Sequence, residues 1–372
     1  MSVKSAVLER YSEGANERQE SLCCPVDYDA SLLKLLPQEI IDKDYGCGDP
    51  SRYVQEGDIV LDLGSGSGKI CYMAAQLVGD KGKVIGVDMN DDMLRLARKY
   101  QQEMAEKLGG DRVEFRKGHI QDLALDLAAM DTWLADNPVT DVEGAHKLEL
   151  WQTEQRINQP LVADSSVDLI ISNCVLNLVG DHQKQQLVSE IYRVLKPGGR
   201  IAISDIVCDE AIPEHLKADD ELWSGCISGA FEEEEMLNAF HDVGFLSVAL
   251  DKWDAEPWQV VEGIEFRSVT VTAVKASGEE CLDKGQAVIY RGPFKTVFDD
   301  EGHEFPRGAR MAVCERTFHY LTEGPHRSDF IGITPVKKQE AVTWCAPMGT
   351  RRPASETKGS VHKQTGEKSS CC

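Results

Sequence analysis

No stretch of this chain is apolar for the roughly 18–20 residues that crossing a bilayer requires. The opening MSVKSAVLERYSEGANERQE is polar and lacks the apolar centre of a secretory signal, so a cytoplasmic protein is expected. Basic charge is also scarce: 40 Lys and Arg stand against 63 Asp and Glu, a net charge of −23. The basic clusters, Arg351-Arg352 and Lys196 to Arg200, are too short to follow a phosphate backbone. Neither nucleic acid nor a membrane is expected as a partner. No C-x-x-C pair occurs, which argues against a zinc finger or ribbon, and no internal repeat is visible.

What is present is length, apolar residues and thiols. The 372 residues, 42% hydrophobic and 28% charged, suffice for two or three globular domains. Cysteine occurs at 23, 24, 47, 71, 174, 208, 226, 281, 314, 345, 371 and 372. Without a signal segment a disulfide framework is not expected. Most cysteines in such a chain are inert core residues, and Cys208, Cys281, Cys314 and Cys345 read that way.

Residues 1–29 read as a flexible arm. From 30 to 45 the apolar spacing is helical, interrupted by Pro37, and a turn cluster, Gly46-Cys47-Gly48-Asp49-Pro50, follows. From 58 to 275 strands and helices alternate. Strands are expected at 58–63, 84–87, 113–116, 167–171, 201–204, 245–250 and 266–275, and helices at 70–78, 91–108, 182–195 and 232–242. Residues 124–160 are long, charged and helical in period, and read as an insertion suited to a lid or an oligomer contact. Short β-α units imply an α/β fold with a doubly wound, mostly parallel, seven-stranded Rossmann-like sheet. Residues 276–348 form a small β-rich domain with Gly and Pro between short strands, and 349–372 a disordered tail.

The first strand ends in Asp62-Leu63-Gly64-Ser65-Gly66-Ser67-Gly68 and opens a helix. Glycines permit a tight turn and close ligand approach, and the helix start offers free N–H groups. Asp88 stands at the tip of the second strand, about 20 residues on, where a carboxylate can accept ribose hydroxyls. The spacing is G-x-G-x-G rather than the dinucleotide G-x-G-x-x-G. It resembles motif I of the S-adenosylmethionine-dependent methyltransferases, as do Asp88-Met89 and the run Val194 to Arg200. That resemblance implies S-adenosylmethionine as methyl donor, bound by Asp62, Gly64, Ser65, Gly66, Gly68, Asp88 and Met89. Ile120 would pack on the adenine and Asn173 would reach the amino-acid end. Tyr72 reads equally as pocket wall or core aromatic.

Four thiols fall near this opening. Cys71 lies in the first turn of the helix behind the loop, where a helix N-terminus favours thiolate. Cys174 ends the fourth strand, on the ligand side of such a sheet. Cys226 lies in Trp223 to Ala230, and Cys47 has a glycine on each side, which suggests a mobile thiol. Thiolates around a methyl donor point to a soft ligand.

The segments Tyr45-Gly46-Cys47-Gly48, Leu61 to Gly68 with Cys71-Tyr72, Ser172 to Asn177, Trp223 to Ala230 and Val288-Ile289-Tyr290, with the terminal cysteine pair, resemble the arsenite methyltransferase family. The resemblance runs from about 25 to 335. It implies methyl transfer to trivalent arsenic, with Cys174 and Cys226 holding the metalloid and Cys47 and Cys71 binding it or relaying electrons. It also implies arsenite or its glutathione conjugates as substrate, and glutathione or thioredoxin as reductant. The adjacent cysteines Cys23-Cys24 and Cys371-Cys372 would pass the metalloid inward. Lys69-Ile70 stands where the family commonly has Arg-Asp. Arsenic held by thiolates keeps a lone pair, so no general base is needed. Two other readings stay open: a methyltransferase acting on carbon, oxygen or nitrogen of a small metabolite, and a non-enzymatic metalloid-binding thiol protein.

Overall fold

The strand that leads into the glycine loop, β1 (Ile59–Leu63), is apolar on both faces: Val60 packs to one side, Leu61 and Leu63 to the other. Burial on both faces marks an interior strand of a helix-covered parallel sheet. Parallel pairing joins it to β2 (Lys83–Asp88), β3 (Val113–Lys117), β4 (Val167–Asn173) and β5 (Leu195–Cys208). Two antiparallel strands extend the sheet, β6 (Phe245–Trp253) and β7 (Ile264–Lys275), with β7 against β5 and β6 outside it. The order is β3-β2-β1-β4-β5-β7-β6, and two short strands, Phe231–Glu232 and Gln259–Val261, bring the sheet to nine. The strand order reverses between β1 and β4, so a crevice opens at the carboxyl ends of those two strands.

The computed structural model describes residues 3–17, 19, 26–323 and 325–358, in two units, Met1–Ala276 and Ser277–Cys372. Cys23, Cys24, Cys371 and Cys372 lie outside the described residues. Among the described residues no helix is long and apolar enough to cross a membrane.

The first of the helices overturns an expectation. Residues 3–16, read as part of a flexible arm, form α1 (Val3–Asn16). Val7 and Ala15 are buried, and Tyr11 lies between them on the same face at helical spacing. Polar bonds then fix the helix in place. Arg10 Nη1 donates to Glu221 O (2.8 Å) and Ser224 Oγ (2.9 Å), and Asn90 Nδ2 donates to Leu8 O (3.2 Å) and Ser12 Oγ (3.1 Å).

Behind the loop lies α2 (Lys69–Leu77). The helix expected over 91–108 is two, α3 (Asp91–Lys99) and α4 (Gln101–Leu108), divided at Tyr100 (φ −103°, ψ 2°). Asn90 caps α3, accepting from the N–H groups of Asp92 (2.9 Å) and Met93 (3.2 Å). The insertion is a helical hairpin, α5 (Leu127–Asp136) and α6 (Val142–Asn158), with Trp133 stacked on Trp151 at 5.5 Å. The remaining helices used below are α7 (Asp181–Val194), α8 (Asp220–Ser224) and α9 (Glu233–Asp242).

The C-terminal unit contains β8 (Leu282–Asp283), β9 (Ala287–Tyr290), β10 (Thr296–Phe298), β11 (Glu304–Pro306), β12 (Arg310–Ala312), α10 (Glu315–Glu323), β13 (Phe330–Ile333) and β14 (Val342–Thr343). These pair as β12-β9-β13, β10-β11 and β8-β14. Residues 349–358, expected within a disordered tail, instead run alongside β12. Ala312 N donates to Thr350 O (2.9 Å), Arg352 N to Arg310 O (3.0 Å), and Thr357 is fully buried. Backbone pairing at a sheet edge orders a polar segment that composition alone marks as disordered.

Arg10→Ala removes two bonds from a charged donor. Amide exchange across residues 3–16 is expected to quicken by ~10-fold or more, with little change in β1 or β4. Unchanged exchange would show that α1 is held by its apolar face alone.

Candidate functional site

The crevice holds a cavity of about 380 Å³, within the usual range for small-molecule sites. Its floor is the glycine loop. Gly64 (φ 69°) sits where a Cβ would fall 2.4 Å from Val175, and Gly68 (φ 85°) where one would fall 2.8 Å from Phe115. Only glycine meets both the backbone sign and the space. Asp62, Gly64, Ser65, Gly66, Asp88, Met89, Ile120, Asn173 and Cys174 line the cavity. The Ser65 hydroxyl, though buried, has no hydrogen-bond partner.

Asp88 is tied to the loop itself. Its Oδ2 accepts from Gly66 N (2.9 Å) and its Oδ1 from Asn90 N (2.8 Å). Burial nevertheless raises its pKa above the ordinary value. Asp62 is pushed up to about 7, by burial first, against the lowering effect of the Cys71 hydrogen bond and with reinforcement from Asp44 and Asp88.

Not every expected residue reaches the cavity. Tyr72 is fully buried in the core and donates its hydroxyl to Ala97 O (2.7 Å), so of its two readings the core one is what the structure shows. Gly68 shapes the loop without lining the cavity. Asn173 lines it, yet its amide is taken up by backbone. Oδ1 accepts from Cys47 N (2.8 Å) and Gly48 N (2.9 Å), and Nδ2 donates to Gly48 O (2.8 Å) and Tyr28 Oη (3.3 Å). Asn177, in the turn after β4, donates to Ile206 O (2.6 Å) and Cys226 O (3.3 Å).

The thiols divide. Cys47, Cys174 and Cys226 share one apolar cluster with Ile206, Ile227 and Phe266. Cys47 and Cys174 are joined as a disulfide, with Cα atoms 5.9 Å apart. The Cys226 thiol donates to Cys174 O (3.4 Å). Cys174 (φ 58°) and Cys226 (φ 65°) both adopt left-handed backbone, uncommon for a residue with a side chain. Cys71 belongs to a different apolar cluster, fully buried behind the glycine loop, and donates to Asp62 Oδ2 (3.1 Å). Burial, then the Asp62 charge, push its pKa well above the ordinary thiol value. The expected thiolate at a helix start does not form, because desolvation and an anion outweigh the helix dipole.

Cys47 also departs from expectation. It is 1% exposed, and its glycines serve close packing rather than mobility. A Cβ on Gly46 would fall 2.0 Å from the Asn173 amide and one on Gly48 2.4 Å from Ser204 Oγ. Ser268 Oγ donates to Cys47 O (2.7 Å).

Several site residues were missed in the sequence. Tyr11, on α1, lines the cavity and brings its hydroxyl 4.0 Å from Cys226 Sγ. The i, i+4 recurrence of Val7, Tyr11 and Ala15 was the available signal. Asp205, fully buried on β5, accepts from Leu176 N (2.8 Å) and Ile206 N (2.8 Å) and shapes the turn after Cys174. Lys69, noted as a departure, pairs with Asp44 (3.0 Å) and lies over the Tyr28 ring, keeping a cation at the base of the loop.

Comparison with known proteins follows the same division into units. The methyltransferase-domain family matches residues 55–149 and 145–244, and a domain of unknown function (DUF8838) matches 277–362. The chain is 34% identical over 339 residues to the arsenite methyltransferase of Aquipseudomonas alcaligenes, covering 86% of this chain and 87% of that one. It is 30% identical over 321 residues to the arsenite methyltransferase of Mus musculus, covering 83% and 75%. Among solved structures it resembles that of CrArsM, an arsenic(III) S-adenosylmethionine methyltransferase from Chlamydomonas reinhardtii. The TM-score is 0.56 at 28% identity, over 87% of this chain and 99% of that one.

Two outcomes follow from the geometry. Alkylation without reductant, read by peptide mass spectrometry, should leave Cys47 and Cys174 unmodified, and prior reduction should expose both. Equal labelling with and without reductant would exclude the disulfide. For Asp62, a folded-state pKa of about 7 exceeds the unfolded value of about 3.9. The folded protein therefore holds a proton the unfolded chain has released. The stability due to this group is fully present below about pH 4 and lost as pH rises to about 7. The Tm gain of Asp62→Asn over wild type should grow across that window and then level off; a gain independent of pH would contradict the assignment.

Proposed function

The chain belongs to the arsenite methyltransferase family, transferring methyl groups from S-adenosylmethionine to trivalent arsenic, and from that premise we propose that Cys47, Cys174 and Cys226 hold the arsenic. The observation that carries the assignment is the contact of these three residues, Cys47 bonded to Cys174 and the Cys226 thiol on Cys174 O, with Cys174 opening onto the cavity of the glycine loop; Cys208, in the same apolar cluster, turns its thiol to Phe231 O (3.4 Å) instead.

The cavity fits the methyl donor. It offers a glycine floor, the orphaned Ser65 hydroxyl, and Asp88 with carboxylate lone pairs beyond those used by Gly66 and Asn90. Asp62, Gly64, Ser65, Gly66, Asp88, Met89 and Ile120 would hold it. The donor supplies an electrophilic methyl group on a sulfonium sulfur. This chain's own part is to fix the acceptor beside it, the kind of positioning that replaces a bimolecular encounter by an intramolecular one.

The thiol cluster suits a neutral acceptor. Arsenous acid exchanges three hydroxyls for three thiols with release of three waters and no change of charge, so an apolar wall of Ile206, Ile227 and Phe266 imposes no ionic desolvation. When the arsenic lone pair forms the As–C bond, the sulfonium S–CH3 bond breaks, its electron pair stays on the departing sulfur, and arsenic becomes a pentavalent cation. Two of its three thiolates then leave together as a disulfide, returning two electrons, and water takes a vacated place with loss of a proton. The Cys47–Cys174 bond is the product such a step leaves. We propose glutathione or thioredoxin as the reductant that reopens it by thiol–disulfide exchange. In the cytoplasmic setting we propose, such a disulfide would be transient and catalytic.

The test is transfer of labelled methyl to arsenite in the presence of glutathione. Cys47→Ser, Cys174→Ser and Cys226→Ser should each lose ~10²-fold or more in rate, the scale of a misplaced reactant. Cys71→Ser should retain transfer, and Asp88→Ala should weaken binding of S-adenosylmethionine by calorimetry. Loss in Cys71→Ser with retention in Cys47→Ser would reverse the assignment.

A further inference from the structure

The C-terminal unit gathers a second set of thiols, remote in sequence from the first. Cys281 immediately precedes β8, Cys314 immediately precedes α10, and Cys345 lies just past β14. The β8-β14 pairing brings the first and last together, with Trp344 N donating to Cys281 O (2.7 Å). The Cys281 thiol lies within hydrogen-bonding reach of both Cys314 and Cys345. Cys345 in turn reaches the ring of His303, in the turn ahead of β11. His303 Nδ1 bonds Asp299 Oδ2 at 2.7 Å, which fixes the ring and leaves Nε2 as its ligating nitrogen.

We propose that Cys281, Cys314, Cys345 and His303 bind one zinc ion. Three thiolates and one imidazole are a closed structural donor set for zinc, which accepts tetrahedral sulfur and nitrogen ligands. Asp299, Glu301 and His303 also bring ligand atoms within 4.8 Å of one another. The three sulfurs nonetheless select a borderline-soft ion over the hard cations that an oxygen set would take. Binding expels the three thiol protons and leaves one net negative charge on the centre. The Arg316 guanidinium, whose charge reaches Cys281 and Cys314, has its Nε buried without a hydrogen-bond partner. A zinc-bound thiolate is an acceptor for such a donor.

The site also answers a stability problem. The apolar core of this unit is one small cluster around Val288, Phe305 and Leu321, and a bound metal adds folding free energy that such a core does not supply. A zinc ion would join the segment before β8, the β10-β11 turn, the start of α10 and the segment after β14, four pieces that no long helix or strand connects. Because this site uses none of the crevice thiols, its fate and that of the arsenic assignment are separable.

The full chain, purified with a non-thiol reductant and stripped by chelator, would be titrated with Zn(II), and with Co(II) for its spectrum. Expected are one metal per chain and, with cobalt, intense tetrahedral d–d bands with sulfur-to-metal charge transfer. Cys314→Ser and Cys345→Ser should abolish stoichiometric binding, while Cys174→Ser and Cys226→Ser retain it. His303→Asn, which keeps all three thiols, should weaken binding by ~10-fold or more and alter the cobalt spectrum. Failure of wild type to bind, metal that follows Cys174 and Cys226, or capture of arsenite by these three thiols with no zinc bound would each overturn the proposal.

Discussion

The thiol chemistry of this protein depends on one side-chain amide. Asn173, the last residue of β4, accepts from two consecutive N–H groups of the Cys47 turn and donates back to the carbonyl of Gly48. It thereby locks a loop that precedes β1 onto the end of a strand more than 100 residues later. The glycines on either side of Cys47 exist to let that amide and Ser204 come close. Cys174 follows Asn173 directly, so the same residue sets where the chain turns left-handed and where two of the three sulfurs meet. Asp205 secures the other side of that turn through Leu176 N.

The crevice is unusual in its protons. Burial raises the pKa of Asp62, Asp88 and Asp205 alike, the first to about 7 and the last to about 6. In a chain of net charge −23, an Asp62 carboxyl that holds its proton up to about pH 7 limits the local negative charge that a cavity would otherwise concentrate. A neutral acceptor and a donor carrying a sulfonium charge meet little opposition there. The sulfurs of Cys47, Cys174 and Cys226 in contrast sit against apolar side chains.

Much of this was legible in the sequence. The β1 strand, the glycine loop, Asp88 and the alternation of strands announce the parallel sheet, because periodicity and turn chemistry are local. The helical hairpin at 127–158 was legible for the same reason. What was not legible depends on distance. Cys71 follows the glycines by three residues and looks like a site thiol, yet it is fully buried behind the loop, with its thiol on the Asp62 carboxylate. Asn173 looks like a cofactor ligand, because nothing local says that the Cys47 turn will occupy its amide. The segment 3–16 looks like a loose arm, since its partners, Asn90 and residues 221–224, lie far along the chain. Cys281 and Cys345 are drawn together by the β8-β14 pairing, which no spacing rule announces.

The docking of α1 has a consequence for how the protein is made. The helix occupies the start of the chain, but Arg10 finds its partners 211 and 214 residues later, at Glu221 and Ser224. Domains fold as they emerge during synthesis, and contacts of such wide separation close late. The cover over Cys226 is therefore synthesised first and seated after most of the sheet is built. Until then Cys226 lacks the cover that Tyr11 gives it.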